Sequence, residues 1–368
     1  MQRVLVLNAG SSSLKWVVLD AATEESLEQG TATWQGAEGG RHEQELAQAL
    51  GDLPAVEAVG HRVVHGGLDF REAVEVDDKV RARIVALSEL APLHNPAAVA
   101  GLDAARARFP QAQQVAAFDT AFHATLPEEV SHYALPWEWT VRWGLRRFGF
   151  HGLSVEYAVS RAHELLGRQS KRMIVCHLGA GCSVNAVADG RSVDTSMGFT
   201  PLEGLMMARR SGSVDPGLLL YLLDRNRLSP ADLDHGLNEQ AGLLGVSGVS
   251  ADMRDVLAAE AAGNERAHLA VAMFVNRLVS TVGAMTATLG GLDTLVFTGG
   301  IGEHSAPIRA RVVAALDHLG ARLDHDGNDS AAIDLDVAGS DSGVRILVIG
   351  AREDLMILRH VKRVLGWS

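Results

Sequence analysis

The chain has 368 residues, 47% of them hydrophobic and 21% charged, a composition that excludes intrinsic disorder and leaves room for two domains. Its net charge of −12 at pH 7 excludes a general nucleic-acid binder, because phosphate backbones require a basic surface, so any anionic ligand must be held by local basic groups. The two cysteines, Cys176 and Cys182, make no disulfide framework and point to the cytoplasm, and the apolar run Val4 to Leu7 behind Arg3 is too short for a signal peptide or a membrane span.

The first predicted element is a strand, Val4-Leu5-Val6-Leu7, followed by the hydroxyl-rich turn Asn8-Ala9-Gly10-Ser11-Ser12-Ser13-Leu14-Lys15 and a second strand, Trp16-Val17-Val18-Leu19. A strand, a small polar turn and a strand again is how a backbone bends around a phosphate. The polar stretch from Glu24 to Glu45, with Gly36, Gly39 and Gly40, reads as hairpins or loops. Val56 to Gly67 reads as a strand ending in a polar turn, and Val80, Ile84, Leu87 and Leu90 recur at helical spacing. Asn95-Pro96 reads as an N-cap and a first-turn proline opening a helix that runs to about Phe109.

Val115 to Asp119 reads as a buried strand with a carboxylate at its C-terminal end, where open α/β sheets bind ligands. Ser154 is expected to cap a helix that Gly167 closes. The opening hairpin then returns: Leu7 to Ser12 reappears as Leu178-Gly179-Ala180-Gly181-Cys182-Ser183 after the β-type run Met173 to Cys176. Two distant copies imply a duplicated domain with a nucleotide cleft between the halves. Residues 264–289 form the longest candidate helix, apolar around much of its circumference and so expected to be buried; it leads to the strand Thr294 to Phe297 and the turn Thr298 to Glu303. Strand, glycine turn and helix start is again a seat for phosphate or nucleoside. A last strand, Val344 to Ile349, and a helix from about Glu353 to Val364 close the chain.

Generic nucleotide motifs fail. The chain has no Gly-x4-Gly-Lys-Ser/Thr, and Gly179-Ala180-Gly181 and Gly300-Ile301-Gly302 lack the third glycine of a dinucleotide fingerprint. Cys176, His177 and Cys182 make no complete zinc set. Taken together, however, Asn8 to Lys15, Gly60 to Gly67, Ala91 to Pro96, Phe118 to His123, Gly149 to Gly152, Asp194 to Met207 and Phe297 to Glu303 resemble the acetate kinases, in order and over nearly the whole chain.

That resemblance implies an α/β fold of two duplicated ribonuclease-H-like, actin-like ATPase domains with a cleft between them. The acceptor-side domain is expected at residues 1–122 plus about 356–368, and the nucleotide-binding domain at about 123–355. It implies reversible in-line transfer of the ATP γ-phosphoryl group to acetate with Mg²⁺ or Mn²⁺, and a homodimer that binds neither nucleic acid nor membrane. Propionate or butyrate as acceptor, pyrophosphate as donor, and a non-catalytic actin- or Hsp70-like ATPase are the alternatives.

Phosphoryl transfer asks for alignment and for positive charge on the equatorial oxygens. Arg62 and Arg210 suit this, since guanidinium groups grip phosphate and carboxylate oxygens bidentately, although arginines at such spacing also serve as surface ion pairs. The resemblance assigns catalysis to Arg62, Asp119, His151 and Arg210, and the acyl pocket to Arg62, Val64, Leu93, Phe150 and Pro201. It assigns phosphate and nucleotide contacts to Ser11, Ser13, Lys15, His177, Gly179, Gly181, Gly299, Gly300, Ile301, Gly302 and Glu303, and the metal to Asn8 and Glu353. His94 and His177 match positions near the site and read equally well as buried, satisfied histidines; Glu353 also reads as a helix N-terminal acid. The chain departs from the family at Ala180, where asparagine is usual, at Arg209 and Ser213 in place of threonine and aspartate, at His304, and at Gly350 to Asp354. These changes fall mainly on the donor side.

Overall fold

The computed structural model describes residues 2–10, 13–33, 45, 48–51, 53–92, 94–224, 227–330 and 332–367. The chain divides into two compact units: Met1–Ala124 with Phe150–Tyr157 and Arg352–Ser368, and Thr125–Gly149 with Ala158–Ala351.

The first unit is built on a six-stranded sheet of β1 (Arg3–Ala9), β2 (Ser13–Asp20), β3 (Ser26–Thr33), β4 (Ala58–Val63), β5 (Val74–Glu75) and β6 (Gln113–Phe118), in the order β3-β2-β1-β4-β6-β5. β1 pairs antiparallel with β2 and parallel with β4, and β4 runs parallel to β6. Val4 to Leu7 and Val115 to Phe118 are buried on both faces, as befits strands covered by helices. Asn95–Arg108 and the C-terminal helix Glu353–Leu365 pack against this sheet.

The second unit repeats the plan with β7 (Arg172–Leu178), β8 (Cys182–Ala188), β9 (Arg191–Thr195), β10 (Thr294–Thr298), β11 (Leu335–Asp336) and β12 (Arg345–Val348), in the order β11-β12-β10-β7-β8-β9. Read from the other edge, it is the first sheet again: an antiparallel meander, two further strands parallel to its first strand, and a short antiparallel edge strand. The repeated turns of the sequence are therefore the β1–β2 and β7–β8 hairpins of a duplicated α/β domain.

Several expectations change. Phe150–Tyr157 and residues 352–355 belong with the first unit, so that unit is larger than the expected residues 1–122 plus about 356–368. The reason lies in local packing: the Gly152 amide donates to the Asp119 carbonyl at 2.8 Å, and the Phe150 ring meets His65 edge-on at 5.5 Å. Ser26–Thr33 is a strand within the stretch expected to be loops, whose residues 34–44 lie outside those described.

Asn95 is not an N-cap. It is the first helical residue, fully buried, and its amide brackets the His65 backbone, accepting from N at 3.2 Å and donating to O at 3.1 Å. Ser154 lies inside the helix Gly152–Leu166 rather than at its start. The helix Glu265–Leu289 buries a stripe (Ala267, Ala270, Val271, Phe274, Leu278, Val282, Met285), while Leu269 and Met273 are exposed. It is long and apolar enough to cross a membrane, yet the buried stripe packs on the helices Gly242–Ser247 and Met253–Ala261 and on β8.

Candidate active site

Parallel strands deliver side chains to their C-terminal ends, where an open α/β sheet binds ligands. In the first unit β1, β4 and β6 bring Asn8, Arg62 and Asp119 to one such end. Arg62 is the hub: Nε and NH2 donate to the two Asp119 oxygens at 3.1 and 2.5 Å, and NH1 donates to Asn8 Oδ1 at 3.1 Å. Glu353, first residue of the C-terminal helix, brings Oε2 to 3.3 Å from Arg62 Nε. Its position therefore serves the helix dipole and the cluster together.

Asp119 is 1% exposed, and the Arg62 and Glu353 side chains are 20% and 22% exposed. Burial pushes the Asp119 carboxyl up to about 6; Arg62 pulls against this and Glu353 adds to it. Burial alone would push Arg62 down, but the Asp119 and Glu353 carboxylates outweigh it and hold the guanidinium above its ordinary value.

His151 adopts a left-handed backbone (φ 61°), a conformation that non-glycine residues take rarely and mostly where the surroundings impose it. Gly152 explains the imposition. A Cβ there would stand 2.2 Å from the Asp119 carbonyl oxygen, so only glycine lets this segment reach the end of β6. Phe150 is 2% exposed and its carbonyl bonds His123 Nε2 at 3.0 Å, while Val64 is buried at 9%. His94 sits half-buried at the start of the helix Asn95–Arg108.

On the β1–β2 hairpin Lys15 is exposed opposite Asn8, and the Gly10 amide donates to the Ser13 carbonyl at 2.8 Å. Ser11 and Leu93 lie outside the described residues.

In the second unit a cavity of about 770 Å³ opens beside the β7–β8 turn. Gly179, Ala180 and Gly181 form one wall, Gly300 and Ile301 another, and Met253, Leu257 and Pro307 supply apolar surface. Arg209 and Arg210 line it, and neither has a carboxylate within ion-pair distance among the described residues, whereas Arg254 is closed onto Asp252 at 2.6 Å. Arg210 NH1 donates to the Pro201 carbonyl at 3.2 Å, and burial pushes its guanidinium below the ordinary value.

Gly299, Gly302, Glu303 and His177 are not on the cavity wall. Glu303 instead accepts from the Ala351 amide at 3.0 Å, which joins the Gly299–His304 helix to the segment after β12. His177 lies at the end of β7, paired with Ser183 and Thr298. The Cys182 thiol, donating to the Gly179 carbonyl beneath the turn, is pushed up to about 12 by burial and stays inert.

Met253, Leu257, Arg254, Asn238 and Glu239 had no motif to announce them. They come from the helices Pro230–Glu239 and Met253–Ala261, which periodicity marks only as helices. Gly152 had a signal in Gly-Phe-His-Gly that pointed to His151 and not to the glycine's own close approach.

The family model described as "Acetokinase family" matches residues 43–359. The chain belongs to the acetokinase family. Among its relatives, the acetate kinase of Nostoc punctiforme is 44% identical over 99% of this chain and 99% of that protein. Among solved structures, the acetate kinase of Porphyromonas gingivalis superposes with a TM-score of 0.91 at 37% identity, covering 99% of this chain and 100% of that one. A propionate kinase of Francisella tularensis superposes nearly as well, with a TM-score of 0.90 at 38% identity, covering 98% and 99%. This acetokinase-family chain thus has relatives named for two different carboxylates at almost equal distance.

Proposed function

We propose that the chain transfers the γ-phosphoryl group of ATP reversibly to a short-chain carboxylate, acetate first. The observation that carries this reading is the cluster of Arg62, Asp119, Asn8 and Glu353 at the strand ends of the first unit, in a chain of this family. A carboxylate oxygen attacks the γ-phosphorus while the bond to the bridging oxygen of ADP breaks, and ADP leaves with that electron pair. The acceptor is already ionised at neutral pH, so the site needs positive charge and alignment rather than a general base.

In the first unit Arg62 supplies charge, His151 donates a hydrogen bond to the phosphoryl group, and Val64 and Phe150 offer apolar surface to the alkyl group; in the second unit Arg210 supplies charge. Asp119, with its carboxyl shared with Arg62, keeps that guanidinium in a fixed orientation. The Asn8 amide oxygen and the Glu353 carboxylate are hard oxygens, of the kind Mg²⁺ takes with its preference for one or two carboxylates plus substrate phosphates. Bound there, the ion would neutralise charge on the β- and γ-phosphates.

ATP is favoured over pyrophosphate because the cavity of about 770 Å³, with Met253, Leu257 and Pro307 on its wall, has room and apolar surface for a nucleoside. In the second unit the Gly181 amide serves the phosphates, since the Gly179 amide already donates to the Gly181 carbonyl at 2.9 Å, and Arg209 adds charge where the family usually has threonine; Ser13 and Lys15 offer phosphate contacts on the first unit's own hairpin. Propionate remains the second reading, supported by the Francisella relative, because one methylene is worth only ~1–3 kcal/mol in an apolar pocket.

A cytoplasmic homodimer completes the proposal. The helices Trp137–Trp143 and Pro216–Leu223 have no buried residue and expose Trp137, Trp143, Leu220 and Tyr221, apolar surface that a second copy would cover. The experiment is ADP release with acetate, propionate and butyrate, with hydroxylamine trapping of the acyl phosphate and pyrophosphate as a rival donor. Acetate with ATP should give the highest kcat/KM; absence of both products with every acid would sink the reading.

A further inference from the structure

The loop that carries Pro201 is held by a polar cluster that none of these roles uses. Tyr133 donates to Glu203 Oε2 at 2.5 Å and accepts from the Phe199 amide at 2.8 Å. Arg147 donates through NH2 to Glu203 Oε1 at 2.8 Å, and through NH1 to the carbonyls of Thr195 and Met197 at 3.1 and 3.0 Å. Its guanidinium also lies over the Tyr133 ring, 5.4 Å from the centroid. Gly198 makes the closure possible: a Cβ there would stand 1.7 Å from Glu203 Oε2 and 2.2 Å from the Tyr133 hydroxyl. Burial, then the Glu203 hydrogen bond, raise the Tyr133 pKa, so the phenol keeps its proton at any working pH.

Both ends of the loop from Thr195 to Glu203 are thereby pinned. Within it, the Pro201 carbonyl accepts from Arg210 NH1 at 3.2 Å, which is the one hydrogen bond from the Arg210 side chain to oxygen among the described residues. An arginine with no carboxylate partner takes its orientation from such a contact, and an error of about 1 Å in a clamp can cost on the order of 10² in rate.

We propose that Glu203, braced by Tyr133 and Arg147, is a positioning residue for phosphoryl transfer that acts through the Pro201 carbonyl to aim Arg210. This rests on the carboxylate-kinase reading. The Glu203 carboxylate joins a neutral phenol to a guanidinium, and Glu203→Gln keeps the shape while removing the charge that Arg147 answers. The variant should lower kcat by about tenfold to a hundredfold with KM for ATP changed less than about twofold, the loss expected for one charge-assisted hydrogen bond.

A double-mutant cycle with Arg210→Ala separates positioning from support of the fold. If Glu203 works through Arg210, Glu203→Gln should cost less than about twofold once Arg210 is alanine. The same loss in both backgrounds, or a single variant within about twofold of the unaltered chain, would overturn the inference. Should Glu203→Gln fail to fold, Tyr133→Phe goes through the same cycle with the same two outcomes. Lack of carboxylate phosphorylation by the unaltered chain would instead overturn the reading beneath it.

Discussion

Arginine does two different jobs in the two units. In the first unit Arg62 is enclosed by Asp119, Glu353 and Asn8, so its charge is answered inside the protein. In the second unit Arg209 and Arg210 line a cavity with no carboxylate in ion-pair range among the described residues. The chain carries 45 acidic residues against 33 lysines and arginines, and Glu239 on the same wall acts on Arg210 only from beyond ion-pair distance, so two adjacent guanidiniums depart locally from the average field. The first arrangement couples binding to folding, because removing the cation strands the buried Asp119 carboxylate. The second leaves the charge for a ligand to answer.

The largest expected effect follows from that contrast. Arg62→Ala should lower kcat by on the order of 10³ and also cost about 3 kcal/mol of stability, because Asp119 would stay buried without its cation. Urea unfolding beside the hydroxylamine assay checks both, and an unchanged unfolding midpoint would break the comparison. Arg210→Ala should match the loss in kcat while costing less than about 1 kcal/mol, since no ion pair is lost. A fall of less than about tenfold with the fold intact would remove Arg210 from the transition-state clamp.

A third test concerns acid. Burial holds His61, which bonds Gln114, and His123, which bonds the Phe150 carbonyl, down at about 4, and both belong to the first unit. A histidine whose folded pKa is depressed below the unfolded value of 6.5 contributes fully above pH 6.5. That contribution is lost as pH falls toward 4, up to about 3 kcal/mol for each. Hydrogen exchange between pH 7 and 4 should therefore show β4 and β6 losing protection before β7 and β10; simultaneous loss would argue that the two units unfold as one. The smallest effect is that of Arg209→Thr, which should raise KM for ATP about fivefold, leave KM for acetate unchanged and weaken the salt dependence of ATP binding. An unchanged KM for ATP would place Arg209 outside the phosphate contacts.

Much of the fold was legible because it rests on local patterns. Val4 to Leu7 and Met173 to Cys176 are short apolar runs of the kind buried strands carry, and the repeated turns after them announced the duplication that the two sheets display. Asn95 misled for a physical reason: Asn-Pro at a helix start is a capping signal, but the Asn95 amide is taken by the His65 backbone, a partner thirty residues away. Tyr133 and Arg147 gave no signal, and Glu203 only lay within the run Asp194 to Met207 with no role of its own, since an arginine, a tyrosine and a glutamate in separate segments are ordinary residues until the chain brings them together.

Sequence alone determined the α/β class, the duplication and the family, because strand runs, turn residues and ordered motifs are properties of neighbouring positions. Tertiary structure decided which charges are answered. Whether Arg62 meets Asp119 across 57 residues, whether Arg210 meets the Pro201 carbonyl, and whether Glu303 turns to the Ala351 amide depend on long-range packing. Electrostatic energy depends on distance and burial in space, and neither can be read from the order of residues along a chain.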